Sequence, residues 1–357
     1  MAGSIIAATP VSRVAPPQDG AQPGERPPTI KDVADRARVS KSVVSRVMRG
    51  AGTVSRESRD AVLMAAEELG YRPNAAARSL VQRRSFNVGV LVSDLHNPFF
   101  AEIIDGIETA AASAGYRMLI TTGNRDRDAE AHALETLLEL RTDGVILLSP
   151  RLAPHLVARA CRSVPVAVVA SLTRVPRVDV VVNDDVRGSE LAVKHLADLG
   201  HRRIAMVDGG SGAGAAERRG GYEAAMRTLG LGDLIQVVTG DYTEEGGYSG
   251  AQLLLRRDPR PTAIFAGNDL AAVGALNAIE EAGLEVPADV SLVGYDNTAL
   301  ASLRHISLTT VHQPRRQIGE MAMKAVLRRI ERNGARAKRQ VLEPHLVSRQ
   351  TTAPPGR

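Results

Sequence analysis

At 357 residues, with 44% apolar and 24% charged residues, the chain is long enough for two or three folded units of ordinary globular composition. Only 3% of its residues are aromatic and none is Trp, so its cores must be aliphatic; the single cysteine, Cys161, rules out an internal disulfide. No apolar run reaches the roughly 20 residues that a membrane helix needs, and the opening Ile5-Ile6-Ala7-Ala8 stretch lacks the basic flank and length of a signal peptide. A cytoplasmic protein, neither spanning nor secreted, is the expectation. The net charge of +5 is unevenly placed: residues 26 to 85 hold 13 Lys/Arg against 6 Asp/Glu, a balance of +7, so the rest of the chain sums to about −2. A basic block on a near-neutral body is the footprint of a phosphate-contacting module, although a merely solvated basic face would give the same count.

In chain order, residues 1 to 27 are rich in Pro, Ala, Gly and Gln without periodicity and read as a disordered tail. Short helices follow. Val33, Ala34 and Ala37 form the inner face of the first, Val39 plugs the turn, and Val43, Val44 and Val47 line the second, which Ser40 caps. The outward face of that second helix presents Lys41, Ser42, Ser45, Arg46 and Arg49, side chains able to hydrogen-bond or pair with DNA in the major groove. A third helix, capped by Ser55, buries Ala61, Val62, Ala65, Ala66 and Leu69 and ends at Gly70-Tyr71-Arg72-Pro73. The pattern is a helix-turn-helix.

Beyond residue 85 the pattern changes to short β-branched runs. They lie at residues 88–92, 118–120, 144–148, 166–169, 180–182, 204–207, 263–266 and 291–294, with helix-period stretches such as 99–114, 130–140, 188–199, 221–229 and 270–282 between most of them. Alternating buried strands and crossover helices predict parallel sheets covered on both faces, and the number of strands predicts two α/β lobes. The loop Gly210-Ser211-Gly212-Ala213-Gly214-Ala215 satisfies a loose dinucleotide fingerprint, but it lies mid-chain, and the next acidic candidate, Asp241, comes too late to bind a ribose. With no metal-ligand cluster, Walker loop or nucleophile elbow, the reading is a binding protein without cofactor or metal, and not an enzyme.

The block from Thr29 to Leu80, including Pro73-Asn74-Ala75-Ala76-Ala77-Arg78-Ser79-Leu80, resembles the headpiece and hinge of the lactose-repressor/galactose-repressor family of transcription regulators. The resemblance implies DNA contacts by Thr29, Lys41, Ser42, Val43, Ser45, Arg46, Asn74, Ala77 and Leu80, with the hinge helix pushing Leu80 into the minor groove. Leu80 is otherwise an exposed linker leucine. Arg38 departs from the family pattern, which has Gly in that turn; left-handed geometry there costs a non-Gly residue on the order of 1 kcal/mol.

The resemblance extends through Asp94-Leu95-His96-Asn97-Pro98-Phe99-Phe100, Asp143-Gly144-Val145-Ile146, Gly200-His201-Arg202-Arg203, Arg218-Arg219-Gly220-Gly221-Tyr222, Asn268-Asp269 and Gly294-Tyr295-Asp296 to the family's ligand-binding core. It implies a periplasmic-binding-protein-like sensor of two parallel-sheet lobes joined by three crossings. Effector contact is expected from Asp94, Phe99, Arg218, Asn268 and Asp296, the kit for a sugar, nucleoside or related polar molecule. Asp94 and Asn97 can equally shape the turn before Pro98, Asp269 can cap its helix, and Phe99 can be core. The expected organisation is a tail at 1–27, a helix-turn-helix domain at 28–73, hinge helix and linker at 74–85, an effector-binding and dimerisation domain at 86–349, and a tail at 350–357. Lobe 1 is expected at about 86–200 and 309–339, and lobe 2 at about 201–308 and 340–349. The implied protein is a nucleoid-associated, cytoplasmic homodimer that represses from palindromic operator DNA under control of a small-molecule effector. Because no heptad tail follows Gln340, a dimer is expected and not a helix-bundled tetramer.

Overall fold

The computed structural model describes residues 26, 28–48, 54–72, 84–332 and 334–356, which belong to two units, 1–81 and 82–357. Expectations for the tail up to residue 25 and for Asn74, Ala77 and Leu80 lie outside the described residues.

In the first unit, α1 (Ile30–Arg36) begins where the Asp32 carboxylate accepts from the Thr29 backbone N–H at 2.8 Å and from its hydroxyl at 2.7 Å. Ser40 Oγ accepts from Val43 N to start α2 (Lys41–Met48), and Ser55 Oγ accepts from Ser58 N to start α3 (Arg56–Glu68). Val33, Ala34, Val44, Val47, Val62, Ala65 and Ala66 close one small core. Leu69, expected in the buried stripe, is instead 36% exposed, because it is the residue on which α3 ends. The chain turns at Gly70 (φ 61°) and sends Tyr71 against the core in its place, its N–H donating to Ala66 O. Arg38 takes φ 54°, the left-handed geometry that its position in the turn demands.

The second unit contains two six-stranded sheets. Strands β1 (Asn87–Val92), β2 (Arg117–Thr122), β3 (Gly144–Leu148), β4 (Val166–Val169), β5 (Val178–Asn183) and β11 (Arg339–Leu342) form the first, in the order β11-β5-β4-β3-β1-β2, all parallel. Strands β6 (Ile204–Asp208), β7 (Gln236–Thr239), β8 (Ala263–Ala266), β9 (Ser291–Asp296), β10 (Thr309–His312) and β12 (His345–Val347) form the second, in the order β12-β10-β9-β8-β6-β7, with only β12 antiparallel. Helices α4 (Phe99–Ser113), α5 (Arg127–Glu139), α6 (Pro154–Ser163) and α11 (Arg315–Glu331) contribute side chains to the two core layers of the first sheet; α7 (Asp185–Asp198), α8 (Ala215–Thr228), α9 (Glu244–Leu255) and α10 (Asp269–Glu281) do so for the second. Sheets buried on both faces read as continuous Val/Ile/Leu/Ala runs, which is what the sequence shows.

The expected lobe boundaries need correction at three places. Helix α7 was assigned to lobe 1, but its apolar face, Ala192, Val193 and Leu196, packs with Ile204, Met206 and Tyr222, so the first crossing comes after Asn183 and not near residue 200. Strand β10 pairs with β9 and belongs to lobe 2, whereas β11 pairs with β5, so all of it, through Leu342, belongs to lobe 1. The segment 350–357 is no loose tail over its described part: Thr351 O accepts from Leu292 N, Thr351 Oγ1 accepts from Thr309 N, and Ala353 N donates to Ser291 Oγ. Helix α9 escaped the sequence reading because Gly246, Gly247 and Gly250 dilute its pattern. Gly247 is required by packing: a Cβ there would meet Ala271 O of α10 at 2.1 Å.

Candidate functional site

Two surfaces carry the chemistry. On the headpiece, Lys41, Ser42 and Arg46 are exposed along α2, while Val43 and Ser45 are half-buried. Val43 packs against the headpiece core, so part of its surface is already used internally. The Ser42 hydroxyl lies 2.7 Å from Ser40 Oγ, and Arg46 Nε donates to Ser42 O at 3.4 Å, which draws the guanidinium back along the helix. Thr29 caps α1, and Arg26 pairs with Asp32 at 2.8 Å; that ion pair, followed by the Thr29 bonds, holds the Asp32 carboxyl below the usual carboxylate range.

The second surface is the cleft between the lobes of the second unit, beyond the carboxyl ends of the strands. All five residues proposed from sequence, Asp94, Phe99, Arg218, Asn268 and Asp296, line it. Asp94 follows β1 and Phe99 opens α4, so lobe 1 supplies these two; lobe 2 supplies the other three from α8, the cap of α10 and the end of β9. Their engagement differs. Asp94 Oδ1 accepts from His96 N and Asn97 Oδ1 accepts from Phe99 N, so both shape the turn. Phe99 is 5% exposed and meets Phe100 edge-on at 5.1 Å, so its ring belongs to the core and shows only part of itself to the cleft. Asn268, and not Asp269, caps α10, accepting from Ala271 N, and its amide donates to Tyr242 O. Asp269 is buried and accepts from the Thr298 N–H and hydroxyl and the Thr310 hydroxyl.

Arg218 is the hub. It is 6% exposed; Nε donates to Asp185 Oδ1 at 3.0 Å, Nη1 donates to Gly267 O at 2.6 Å and lies 3.5 Å from Asp296 Oδ1, and the guanidinium stacks 3.9 Å over the Tyr295 ring. Its Nη2 makes no hydrogen bond with any described residue. Asp296 also accepts from Gln313 Nε2 at 2.7 Å. Burial pushes the Asp296 carboxyl up; Arg218 opposes this and the Asp269 carboxylate adds to it.

Sequence reading missed four contributors. Tyr242 lines the cleft with a buried hydroxyl that lacks a partner among the described residues, and its ring fills the space where a Cβ on Gly209 would stand 2.0 Å away. The glycine-rich loop is thus a seat for an aromatic ring, with Asp208 Oδ1 accepting from Gly210 N, and its likeness to a phosphate-binding turn is incidental. Arg125 and Arg151 line the lobe 1 side, and Arg125 Nη2 reaches across to donate to Asp241 O at 2.7 Å. Beneath them Glu130, fully buried, accepts from the Ser93 hydroxyl and from Arg151 N; burial pushes its carboxyl up. Arginines on loops have no periodic signature, and Tyr242 follows a strand too weakly marked to flag it. Among the described residues no cluster of His, Cys, Asp and Glu is placed to hold a metal, and no helix is long and apolar enough to cross a membrane.

Comparison with known proteins covers both surfaces. Residues 29–74 match the family described as bacterial regulatory proteins, lacI family, and residues 85–349 match the periplasmic binding proteins and sugar binding domain of the LacI family. The chain is 35% identical over 328 residues to catabolite control protein A of Priestia megaterium, covering 91% of this chain and 99% of that one. Its fold is similar to that of the lac repressor dimer bound to operator and the anti-inducer ONPF, with a TM-score of 0.82 at 32% identity over 92% of this chain and 100% of the other. A ribose-bound LacI family regulator from Enterococcus faecium aligns with 75% of this chain and 99% of its own, with a TM-score of 0.69 at 29% identity.

Proposed function

The chain belongs to the lacI family of bacterial regulatory proteins, and on that premise we propose how its residues divide the work of a transcriptional repressor controlled by a small molecule. The protein binds operator DNA as a homodimer, its two headpieces meeting the two halves of a palindromic site, and acts in the cytoplasm on the nucleoid. Its relatives are regulators and not enzymes. Lys41 and Ser42 read base edges at the start of α2, Ser45 and Arg46 supply phosphate or base contacts, Thr29 and Val43 also meet the DNA, and Asn74, Ala77 and Leu80 carry the hinge contact.

The effector is a polyhydroxylated small molecule, a sugar or nucleoside, held between Asp94 and Phe99 of lobe 1 and Arg218, Asn268 and Asp296 of lobe 2. The observation that carries this reading is the convergence of these five side chains, with Tyr242, Arg125 and Arg151, on one cleft beside the buried Arg218 network. Ligand controls DNA by binding one arrangement of the lobes better than another. The test is a binding-site selection with the full-length protein and with Lys41 and Ser42 exchanged in place, run beside a thermal-shift screen of sugars and nucleosides. The expected result is a changed base preference, with mismatches worth about 1 to 3 kcal/mol each, and a compound that both stabilises the protein and alters operator affinity. An unchanged base preference would remove Lys41 and Ser42 as readers, and a screen without any stabilising sugar or nucleoside would remove the proposed effector class.

A further inference from the structure

The cleft lies beyond the carboxyl ends of the lobe 1 strands, as the lining by Ser93, Ser149 and Ala170 shows. A separate recess of about 430 Å³ opens at the opposite edge of the same sheet, where β4 and β5 begin, bounded by the end of α6 and by the segment between α11 and β11. With a rise of about 3.3 Å per residue, a four-residue strand separates the two by roughly 13 Å. The two are distinct sites.

Four arginines, Arg162, Arg177, Arg329 and Arg336, line the recess, and among the described residues no Asp or Glu lines it. Asp179, bonded to Arg329 of the lining, is fully buried and already spent: it accepts from Arg328 Nη2 at 2.8 Å, from Lys338 N at 2.9 Å and from Arg329 Nη1 at 3.3 Å. Arg162, Arg177 and Arg336 are exposed and make no ion pair with any described residue. Arg329 is 9% exposed, and within the described residues only its Nη1 donates, to Arg177 O at 2.5 Å and to Asp179. Arg177 is held in left-handed backbone geometry, φ 65°, with that same carbonyl anchored by Arg329. Burial pushes the nearby Cys161 thiol up, and the charges of Arg329 and Arg177 oppose it. Arg329 shares the Asp179 carboxylate with Arg328, so three guanidinium groups, those of Arg162, Arg177 and Arg336, face one concavity without a counter-ion among the described residues, and their mutual repulsion is relieved when an anion sits among them.

We propose that this recess is a second ligand site, for a small multiply charged phosphate anion such as a diphosphate or a phosphorylated metabolite, gripped by Arg162, Arg177, Arg329 and Arg336. Planar guanidinium forks on several sides suit a group that offers acceptor oxygens in several directions. A DNA backbone offers the same chemistry, but a concave recess fits a free anion better than the convex face of a duplex.

The experiment is calorimetric titration of the full-length protein with inorganic pyrophosphate at low ionic strength, repeated with the Arg162→Gln/Arg336→Gln variant and with Arg177→Gly. Both variants are expected to weaken pyrophosphate binding at least tenfold. The double variant should keep the parent's melting temperature and operator affinity. Arg177→Gly should melt close to the parent, because the relief of left-handed strain offsets the greater freedom glycine gives the unfolded chain, and a melt run beside the titration separates loss of binding from misfolding. Three outcomes overturn the proposal: no saturable pyrophosphate binding at millimolar concentration; binding unchanged in both variants, which locates the anion in the cleft or headpiece; or weakened operator affinity without pyrophosphate binding, which assigns the arginines to the DNA backbone.

Discussion

The two walls of the effector cleft are built on different principles. Lobe 1 presents turn and loop groups: Asp94 and Asn97 hold backbone N–H groups, while Arg125 and Arg151 project from loops with their guanidinium groups largely uncommitted to other side chains. Lobe 2 presents a buried charge network, in which Asp185, Gly267 O, Asp296 and Tyr295 surround Arg218 and leave its Nη2 and the Tyr242 hydroxyl without partners among the described residues. A wall whose side chains are mostly held by partners keeps its geometry when a ligand arrives and offers it the few polar atoms left over, whereas one with free side chains adapts. If the cleft holds the effector as proposed, the contrast assigns roles: lobe 2 would set the position of the ligand, and lobe 1 would supply the contacts that differ between arrangements of the lobes.

The largest test of this contrast is Arg218→Ala. It removes the hub and leaves Asp185 and Asp296 buried without their cation, so unfolding free energy is expected to fall by about 3 to 5 kcal/mol and effector response to vanish while operator affinity without effector stays near the parent's. Denaturant melts and operator titrations with and without effector check both parts; retained response would return Arg218 to the structural framework.

A smaller effect sharpens the same comparison through pH. Burial pushes the Asp296 carboxyl up to about 7, with Arg218 opposing and Asp269 adding. Its folded-state value therefore lies above the unfolded one, so the folded state binds the proton more tightly and stability is lost as pH rises from about 4 towards 7. Asp296→Asn removes that dependence: its melting temperature relative to the parent should climb across this window, as a series of thermal scans would reveal. A constant difference would mean that Arg218 and Gln313 already keep the carboxylate ionised.

The smallest expected effect is at the mouth of the cleft. Arg125→Ala breaks the hydrogen bond to Asp241 O across the lobes, a solvent-exposed bond worth about 1 kcal/mol or less. Effector affinity should change less than about fivefold while effector release quickens, a split that stopped-flow measurements would resolve. A large affinity loss would give the adaptable wall a larger share of positioning than proposed.

How much of this was legible in the sequence depends on what kind of signal each feature leaves. Strands buried on both faces leave unbroken apolar runs, and β3, β4 and β8 carry the bounds their runs suggested. Periodicity does not say which sheet a helix covers, however. The stripe Ala192, Val193, Leu196 would serve either lobe, and only its packing with Tyr222 and Met206 assigns it. The four residues of β10 likewise carry no mark of their partner strand. At the site, motif residues such as Arg218 and Asp296 were visible because they stand in recognisable runs. Tyr242 was not, because its place depends on a ring meeting Gly209 from a distant turn, and Glu130 looked like one more acid on a polar helix although it is wholly buried.

The three chain crossings have a consequence for anyone who would take the protein apart. Lobe 1 is assembled from 84–183 and 315–342, and lobe 2 from 184–312 and 345–353, so no contiguous fragment contains one complete lobe without a large part of the other. A gene truncated after residue 312 would encode a first lobe without α11, whose Ile318, Ala322, Met323 and Val326 fill the core beneath β1 and β3, and a second lobe without the strand that borders β10. The headpiece core, by contrast, closes within residues 30–71. Modules can therefore be exchanged by one cut at the front of the chain, whereas any chimera of sensor lobes must be spliced at three points at once.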